Sequence, residues 1–284
     1  MSQKVHIVEV GPRDGLQSIA EEVSTINKVK FIDMLTEAIC PEIEVASFVS
    51  PKWVPQMADA KEVTSLIKRK DQIIYTALVP NLKGLENAIK CGYHSVAVLT
   101  TASESFSLKN TNCSIEESIK RIEEMIPHCK ENKIRIRGYI STCWVCPYEG
   151  NIGIETVIKV IQDLIDLGVD EISLGDTIGK ATPEGVEYLL KIILDSWPPE
   201  LFALHMHDTY NMAAENIVVG LGMGLRIIDS SAGGVGGCPY APGAAGNVST
   251  ETVARICMEQ GFKTGIDVEK LKSAGNYIQS ITQS

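Results

Sequence analysis

A complete strand–helix–strand unit lies in residues 134–174, IRIRGYISTCWVCPYEGNIGIETVIKVIQDLIDLGVDEISL. Residues 134–140 and 171–174 are short β-rich runs, as expected of strands. Between them, apolar residues recur with the 3.6-residue period of an amphipathic helix, at Val157, Val160, Ile161, Leu164 and Leu167. Gly168 stands where this helix should end. The segment therefore predicts a parallel βαβ unit.

The same alternation continues along the whole chain. The β-rich runs are residues 5–10, 43–47, 73–79, 95–100, 134–140, 171–174, 202–207 and 226–230. Helical patterns lie between them; Thr182-Pro183 predicts a helix start, and Gly92 and Gly261 predict helix ends. The 284 residues give about 35 for each of eight units, the size of one βα repeat. We predict an α/β fold, a (β/α)8 TIM barrel forming one catalytic domain over residues 1–284, with residues 261–284 as a C-terminal helical extension.

Composition and charge narrow the possible partners and compartments. The chain has 26 Lys and Arg against 36 Asp and Glu, a formal charge of −10, which argues against nucleic acid or an anionic membrane as the main partner. The N-terminus lacks an apolar signal region, and no window reaches the ~18 apolar residues of a membrane span. Eight scattered cysteines predict reduced thiols. We expect a cytoplasmic protein, or an organelle-matrix protein in a eukaryote.

A charged turn follows the first predicted strand, in the segment Gly11-Pro12-Arg13-Asp14-Gly15. In TIM barrels the loops after the strands carry the active site. Arg13 and Asp14 are therefore expected at the barrel mouth. The alternative is a surface turn with an incidental ion pair.

A pair of histidines ends the seventh predicted strand. His205 and His207 are two residues apart, so their side chains point to the same face of the strand and both can reach one metal ion. A lone histidine would more often be a core residue, whereas an alternating pair at a strand end favours a metal site. The remaining histidines show no pairing and are predicted to be structural; they are His6, His94 and His128.

A glycine-rich segment, GGVGGCPYAPGAAGN, follows the eighth predicted strand at residues 233–247. It is either a floppy loop or a rim loop that needs backbone freedom to close over a substrate. Cys238 at its centre is a candidate acid, base or nucleophile, and Asn247 could offer a carbonyl oxygen to a metal. Together with Asp14, His205 and His207 it makes a mixed oxygen and nitrogen ligand set. That set favours Mg²⁺ or Mn²⁺ and leaves Zn²⁺ and Co²⁺ open.

Four segments closely resemble one enzyme family, the hydroxymethylglutaryl-CoA lyases. They are GPRDGLQ at 11–17, SFVSPKWVPQM at 47–57, SLGDTIG at 173–179 and GGCPYA at 236–241. The resemblance is collinear over nearly the whole chain. The wider group also contains isopropylmalate, homocitrate and citramalate synthases, and the glycine-rich cysteine loop is what resembles the lyase branch.

The resemblance implies retro-Claisen cleavage of 3-hydroxy-3-methylglutaryl-CoA (HMG-CoA) to acetyl-CoA and acetoacetate, as in leucine degradation, by a metal-dependent homodimer. It implies four metal ligands, which are Asp14, His205, His207 and Asn247. Arg13 would stabilise the thioester enolate, and Cys238 would protonate the acetyl-CoA carbanion. Asp14 and His205 would share the role of hydroxyl base. Further acidic active-site positions of the family are matched by Glu44, Asp176 and Glu251.

The residues leave other roles open for these acids. Asp176 could merely cap the helix that follows it. Glu251 lies four residues beyond Asn247, on the same face of a predicted helix, and could be a solvated surface group. Glu44 would be costly inside the barrel without a partner, and we predict that Arg13 is that partner.

Two other functions remain possible at this point. One is a related acyl-CoA lyase or a Claisen condensing enzyme, like citramalate or isopropylmalate synthase, on a different substrate. The other is a metal-binding barrel without activity. The CoA phosphates would need a cation at the rim, for which Lys52 and Lys109 are candidates, and the spacing of Cys143 and Cys146 makes a redox or zinc pair a minor alternative.

Overall fold

The computed structural model describes residues 4–238 and 241–282, with Cys238 and residues 241–244 described by their backbone only. Within this part of the chain, eight parallel strands close into a barrel. The strands are β1 His6–Glu9, β2 Glu42–Ser47, β3 Ile74–Leu78, β4 Ser95–Thr101, β5 Arg135–Ser141, β6 Glu171–Asp176, β7 Phe202–Met206 and β8 Ile227–Ser230. Each strand pairs with the next, and β1 pairs with both β2 and β8. The predicted TIM barrel is confirmed.

Ten α-helices of the described residues follow these strands, two of them after β4 and two after β8. They are α1 Thr25–Glu37, α2 Ala60–Leu66, α3 Leu82–Lys90, α4 Glu104–Thr111, α5 Ile115–Glu131, α6 Ile154–Leu167, α7 Pro183–Leu194, α8 Ala213–Gly222, α9 Thr250–Glu259 and α10 Val268–Thr282. The predicted boundaries hold where capping chemistry is strong: Thr182 Oγ1 accepts from Gly185 N at 3.2 Å, and Gly168 ends α6 with φ of 87°. None of these helices combines the length and apolar composition needed to cross a membrane.

The main apolar core lies between the barrel and its helices. Side chains alternate along each strand, so residues such as Ile136, Ile172 and Leu204 face outward and pack with helix residues such as Phe31 and Leu164. Each of these side chains is fully or almost fully buried. This layer fixes the strand positions, and hence the loops at the barrel mouth, by burying apolar surface.

The barrel interior is polar on the side of β5, where Arg135, Arg137 and Tyr139 alternate inward. Arg135 Nη1 donates to Glu42 Oε1 at 3.0 Å, and Glu42 Oε2 lies 3.0 Å from His6 Nε2. Arg137, fully buried, donates through Nη1 to the Tyr139 hydroxyl at 2.7 Å. Buried charges need such partners because desolvation is costly. On this side the interior therefore holds a paired ionic network, next to a small apolar cluster of Leu78, Ala97 and the Tyr139 ring.

The C-terminal helix α10 packs against α1 and α9 and against the turn Ala232–Gly234 that follows β8. A Cβ at Gly275 would overlap the Glu251 carboxylate and lie 2.9 Å from Gly233 N. Gln279 Nε2 donates to Gly233 O at 2.6 Å. The helical extension predicted for residues 261–284 is thus present and supports the start of the glycine-rich segment.

Candidate metal centre and active site

The turn after β1 brings Arg13 and Asp14 to the barrel mouth. The nitrogens of Asp14 and Gly15 both donate to Val10 O, at 2.8 and 3.2 Å, so the chain winds in one wide turn. A Cβ at Gly15 would lie only 2.6 Å from Val235 O, so this close approach to the glycine-rich segment requires glycine. The local sequence therefore fixes the turn at the position where TIM barrels carry their chemistry.

Asp14, His205 and His207 form a cluster at this position. One ligand atom from each, a carboxylate oxygen or an imidazole nitrogen, lies within 4.8 Å of the others. His205 Nε2 and Asp14 Oδ2 are 3.9 Å apart, too far for a hydrogen bond. His207 Nδ1 is buried and has no hydrogen-bond partner among the described residues. An unpaired buried nitrogen typically costs about 1–3 kcal/mol, so the donor set fits a bound cation well.

Asn247 completes the predicted ligand set at the cluster. It forms an isolated bridge with His207, and its Nδ2 donates to Asp14 Oδ2 at 2.9 Å. A half-turn of the terminal amide exchanges Nδ2 with Oδ1, the atom that could bind a cation. The structure brings together all four residues predicted as metal ligands.

The protonation states of the cluster suit metal binding. Burial acts to raise the pKa of Asp14, but Arg13, His205 and His207 together lower it well below its usual range. Burial, with His205 nearby, lowers the pKa of His207 to about 4. Burial opposes the charged form of His205, yet Asp229 and Asp14 raise its pKa overall. At neutral pH the cluster therefore presents an ionised carboxylate and a neutral imidazole.

Arg13 is held rigidly beside the cluster. Its side chain is almost completely buried, with Nη1 donating to Asp14 Oδ1 at 2.5 Å and Nη2 to Glu44 Oε2 at 2.8 Å. The Tyr139 hydroxyl also donates to Glu44 Oε2, at 2.7 Å. The predicted partnership of Arg13 and Glu44 is confirmed. Arg13 Nε and Glu44 Oε1, both buried, have no hydrogen-bond partner within the described chain.

Asp176 and Glu251 contact loop backbone and lie outside the metal cluster. Asp176 accepts from the nitrogens of Lys180 and Ala181, at 2.9 and 3.0 Å, and burial raises its pKa to about 6 against these hydrogen bonds. It therefore orders the loop before α7, whose cap is Thr182. Glu251 accepts from Gly233 N at 3.0 Å.

The expectation that Asn247 and Glu251 share a helix face is wrong. Helix α9 begins at Thr250, and its cap is the hydroxyl of Ser249, which accepts from Thr252 N. Asn247 lies before the helix, in the bridge to His207. Because the helix begins later than predicted, Asn247 contacts Asp14 and His207, while Glu251 contacts Gly233.

The cysteines fall into two groups. The side chain of Cys238 lies outside the described residues, so its predicted role stays a prediction. The other seven are all free thiols. Cys143 Sγ donates to Ile140 O at 3.1 Å, and Cys146 Sγ lies 3.0 Å from Ser103 Oγ. These two thiols contact different groups, and neither belongs to the metal-type cluster of the described residues.

Sequence reasoning missed four residues of the site's surroundings. They are Ser47, Arg137, Tyr139 and Asp229. Tyr139 and Arg137 carried a signal, because polar residues alternate along β5 while helices cover the outside of the barrel. Ser47 stands in a segment that resembles the family but carried no signal of its own. A bulge shifts β2 so that Ser47 pairs with Leu78, and its buried hydroxyl has no hydrogen-bond partner in the described structure.

The candidate rim cations lie in different surroundings. Lys109 Nζ lies 3.7 Å from the centroid of the Tyr148 ring. Lys52 is exposed, next to Trp53, whose side chain is 76% exposed.

Residues 4–278 match the model of the HMGL-like family. The chain belongs to this family. It is 47% identical over 278 residues to the mitochondrial hydroxymethylglutaryl-CoA lyase of Macaca fascicularis, a match that covers 98% of this chain and 86% of that protein. Curated relatives bear both mitochondrial and cytoplasmic names.

Solved structures agree with this assignment. The HMG-CoA lyase from Brucella melitensis superposes with a TM-score of 0.97 at 46% identity, covering 99% of both chains. An HMG-CoA lyase from Acinetobacter baumannii, in complex with coenzyme A and 3-methylmalate, superposes with a TM-score of 0.94 at 34% identity, covering 100% of this chain and 92% of that one. The resemblance indicated by the sequence motifs is confirmed.

Proposed function

We propose that the protein is a divalent-metal-dependent lyase that cleaves HMG-CoA to acetyl-CoA and acetoacetate by retro-Claisen chemistry. The observation that carries this proposal is the Asp14–His205–His207 cluster with Arg13 beside it, in a chain 47% identical to a hydroxymethylglutaryl-CoA lyase. The relative solved with coenzyme A supports an acyl-CoA substrate.

The metal would be held by Asp14, His205, His207 and Asn247. Oxygen ligands favour Mg²⁺ or Mn²⁺, and the two imidazoles also admit Zn²⁺ or Co²⁺. When bound, a divalent cation supplies Lewis acidity that lowers the cost of forming an alkoxide from the substrate's tertiary hydroxyl.

The chain's own groups then carry the protons and meet the developing charge. Asp14 takes up the hydroxyl proton on a carboxylate oxygen, and the hydroxyl oxygen becomes the ketone oxygen of acetoacetate. His205, which faces Asp229 through Nδ1 and would hold the cation through Nε2, has no free lone pair to share this role of base. The electron pair of the breaking carbon–carbon bond moves onto the thioester. There the fixed guanidinium of Arg13 meets the new negative charge, an interaction that strengthens in the transition state. Cys238 then donates a proton to the acetyl-CoA carbanion.

The remaining acids act by holding groups in place. Glu44 fixes Arg13, whereas Asp176 and Glu251 hold the loops that border the site. We further propose a single catalytic domain over residues 1–284, a homodimer, and a cytoplasmic location. A sedimentation experiment that gives only the monomer mass would contradict the dimer.

The test is to incubate the metal-loaded protein with HMG-CoA and to measure acetoacetate and acetyl-CoA. We expect equal amounts of both products, loss of the reaction with EDTA, and recovery with Mg²⁺ or Mn²⁺. No acetoacetate with any of the cations would contradict the proposal. Release of CoA from acetyl-CoA and a 2-oxo acid, without HMG-CoA cleavage, would instead indicate the condensing enzyme.

A further inference from the structure

A series of hydrogen-bonded side chains, called the ring below, begins at Asp14, ends at His205 and is open only at the candidate metal position between them. Its members are Arg13, Asp14, His205, Asp229, Arg137, Tyr139 and Glu44. One arm runs from Arg13 to Glu44 at 2.8 Å and from Glu44 to the Tyr139 hydroxyl at 2.7 Å. That hydroxyl accepts from Arg137 Nη1 at 2.7 Å, so the arm ends at a fully buried arginine.

The second arm runs from Arg137 to the metal cluster through Asp229. Arg137 donates hydrogen bonds to the Asp229 carboxylate from both Nη atoms, and Nη1 lies 3.1 Å from Oδ2. Asp229 Oδ2 also accepts from Ser173 Oγ at 2.7 Å and lies 3.1 Å from His205 Nδ1. Asp229 is 1% exposed, so these partners replace water entirely.

This contact determines which nitrogen His205 offers to a cation. The carboxylate of Asp229 only accepts, so the proton of the neutral imidazole lies on Nδ1 and the lone pair on Nε2. Nε2 is the atom that faces Asp14 Oδ2 across 3.9 Å. The ring is therefore open only between the two atoms that would share a cation.

We propose that Asp229 is a positioning residue that fixes His205 for the cation, and that the ring couples cation binding to the placement of Arg13. The proposal rests on the proposed function of the cluster as a metal centre. A cation bound between Asp14 and His205 would complete the ring. A change at any of the ring's buried hydrogen bonds would therefore alter the free energy of cation binding. Partners of metal-ligating histidines typically contribute 10- to 100-fold to metal affinity.

The test measures Mn²⁺ affinity in the absence of substrate, by titration calorimetry or by the EPR signal of free Mn²⁺. Asp229→Asn keeps the side-chain shape but removes the charge and one acceptor, and we expect affinity to fall about 10- to 100-fold. The matched control is Glu42→Gln. Glu42 is another fully buried carboxylate that accepts from an arginine inside the barrel. It lies outside the ring and is joined to Arg137 through Arg135 and Glu171. The Mn²⁺ affinity of Glu42→Gln should stay within about twofold of wild type, because this variant leaves every hydrogen bond of the ring in place.

A second variant tests the coupling, and its result can be interpreted even if Asp229→Asn does not fold. Tyr139→Phe removes one hydroxyl on the far arm and leaves all four predicted ligands and Asp229 intact. Coupling through the ring predicts an affinity loss of about 2- to 30-fold. Unchanged affinity in Tyr139→Phe would overturn the coupling, and unchanged affinity in Asp229→Asn, or an equal loss in Glu42→Gln, would overturn the role of Asp229.

Because no acyl-CoA is present, this measurement does not depend on the cleavage reaction. Wild-type protein that binds Mn²⁺ but releases no acetoacetate would contradict the proposed function and leave the role of Asp229 intact. Wild-type protein that binds no divalent cation would contradict both.

Discussion

Replacing Arg13 with lysine keeps the positive charge but removes the planar guanidinium that donates to two carboxylates at once. The guanidinium reaches Asp14 Oδ1 at 2.5 Å and Glu44 Oε2 at 2.8 Å with separate nitrogens, and a single ammonium cannot reproduce both contacts. Each charge-assisted hydrogen bond contributes about 1.5–3 kcal/mol. Loss of a placed donor to developing charge costs about 2.7–4 kcal/mol in the transition state, so kcat should fall about 10²- to 10³-fold.

The assay is acetoacetate formation from HMG-CoA at saturating Mn²⁺, with kcat and KM measured separately. The loss should appear in kcat with a smaller change in KM, because the interaction strengthens in the transition state. The control is Arg255→Lys, which alters an exposed arginine paired with Glu259 at 2.8 Å on α9 and should change neither constant. A normally folded Arg13→Lys protein with kcat within about threefold of wild type would refute the assigned role. The loss of a hydrogen-bond donor to the developing negative charge typically lowers kcat at least about 10²-fold.

Three further predictions concern other parts of the site. Cys238→Ala should lower turnover by about 10²- to 10⁴-fold without changing Mn²⁺ affinity, and unchanged turnover would remove Cys238 from the mechanism. In metal-free protein, burial lowers the pKa of His207 to about 4, so the unfolded chain takes up this proton first and His207 lowers the free energy of unfolding as the pH drops from 6.5 to 4. Asp176, whose pKa burial raises to about 6, acts in the opposite direction, so the measured quantity is the difference between wild type and His207→Gln in urea unfolding. This difference should change by up to about 3 kcal/mol over the range, and a constant difference would count against it. Gly275→Ala should displace Glu251, destabilise the folded protein by about 1–3 kcal/mol and lower kcat. The control Gly222→Ala, which has open space around its Cβ position, should change neither stability in thermal melts nor kcat. Equal behaviour of the two variants would argue against this packing constraint.

The sequence predicted the barrel and the inner part of the site because each depends on short-range patterns. A predicted strand end places a side chain at the mouth of a TIM barrel whatever the details of packing. The Arg13-Asp14 turn and the His205/His207 pair were located in this way. The need to neutralise a buried carboxylate was enough to predict the partner of Glu44.

The remainder depends on distances between strands far apart in the sequence. In the sequence, Asp229 has no feature that separates it from other strand residues. Its contacts come from β5 and β7, which carry Arg137 and His205, so a local sequence pattern does not reveal its role. Glu251 was misplaced for a related reason. Its helix begins at Thr250 rather than at Asn247, and helix starts are set by capping contacts as much as by periodicity.

The support of the Gly233 turn by α10 has a consequence for biosynthesis. The turn is completed by Glu251, Gly275 and Gln279, the last of which lies 46 residues further along the chain. The strands and most of the helices can associate as the chain leaves the ribosome, but the glycine-rich segment finds its support only after Gln279 has emerged. Support for this part of the barrel mouth therefore comes late in translation, after the chain up to Gln279 has been made.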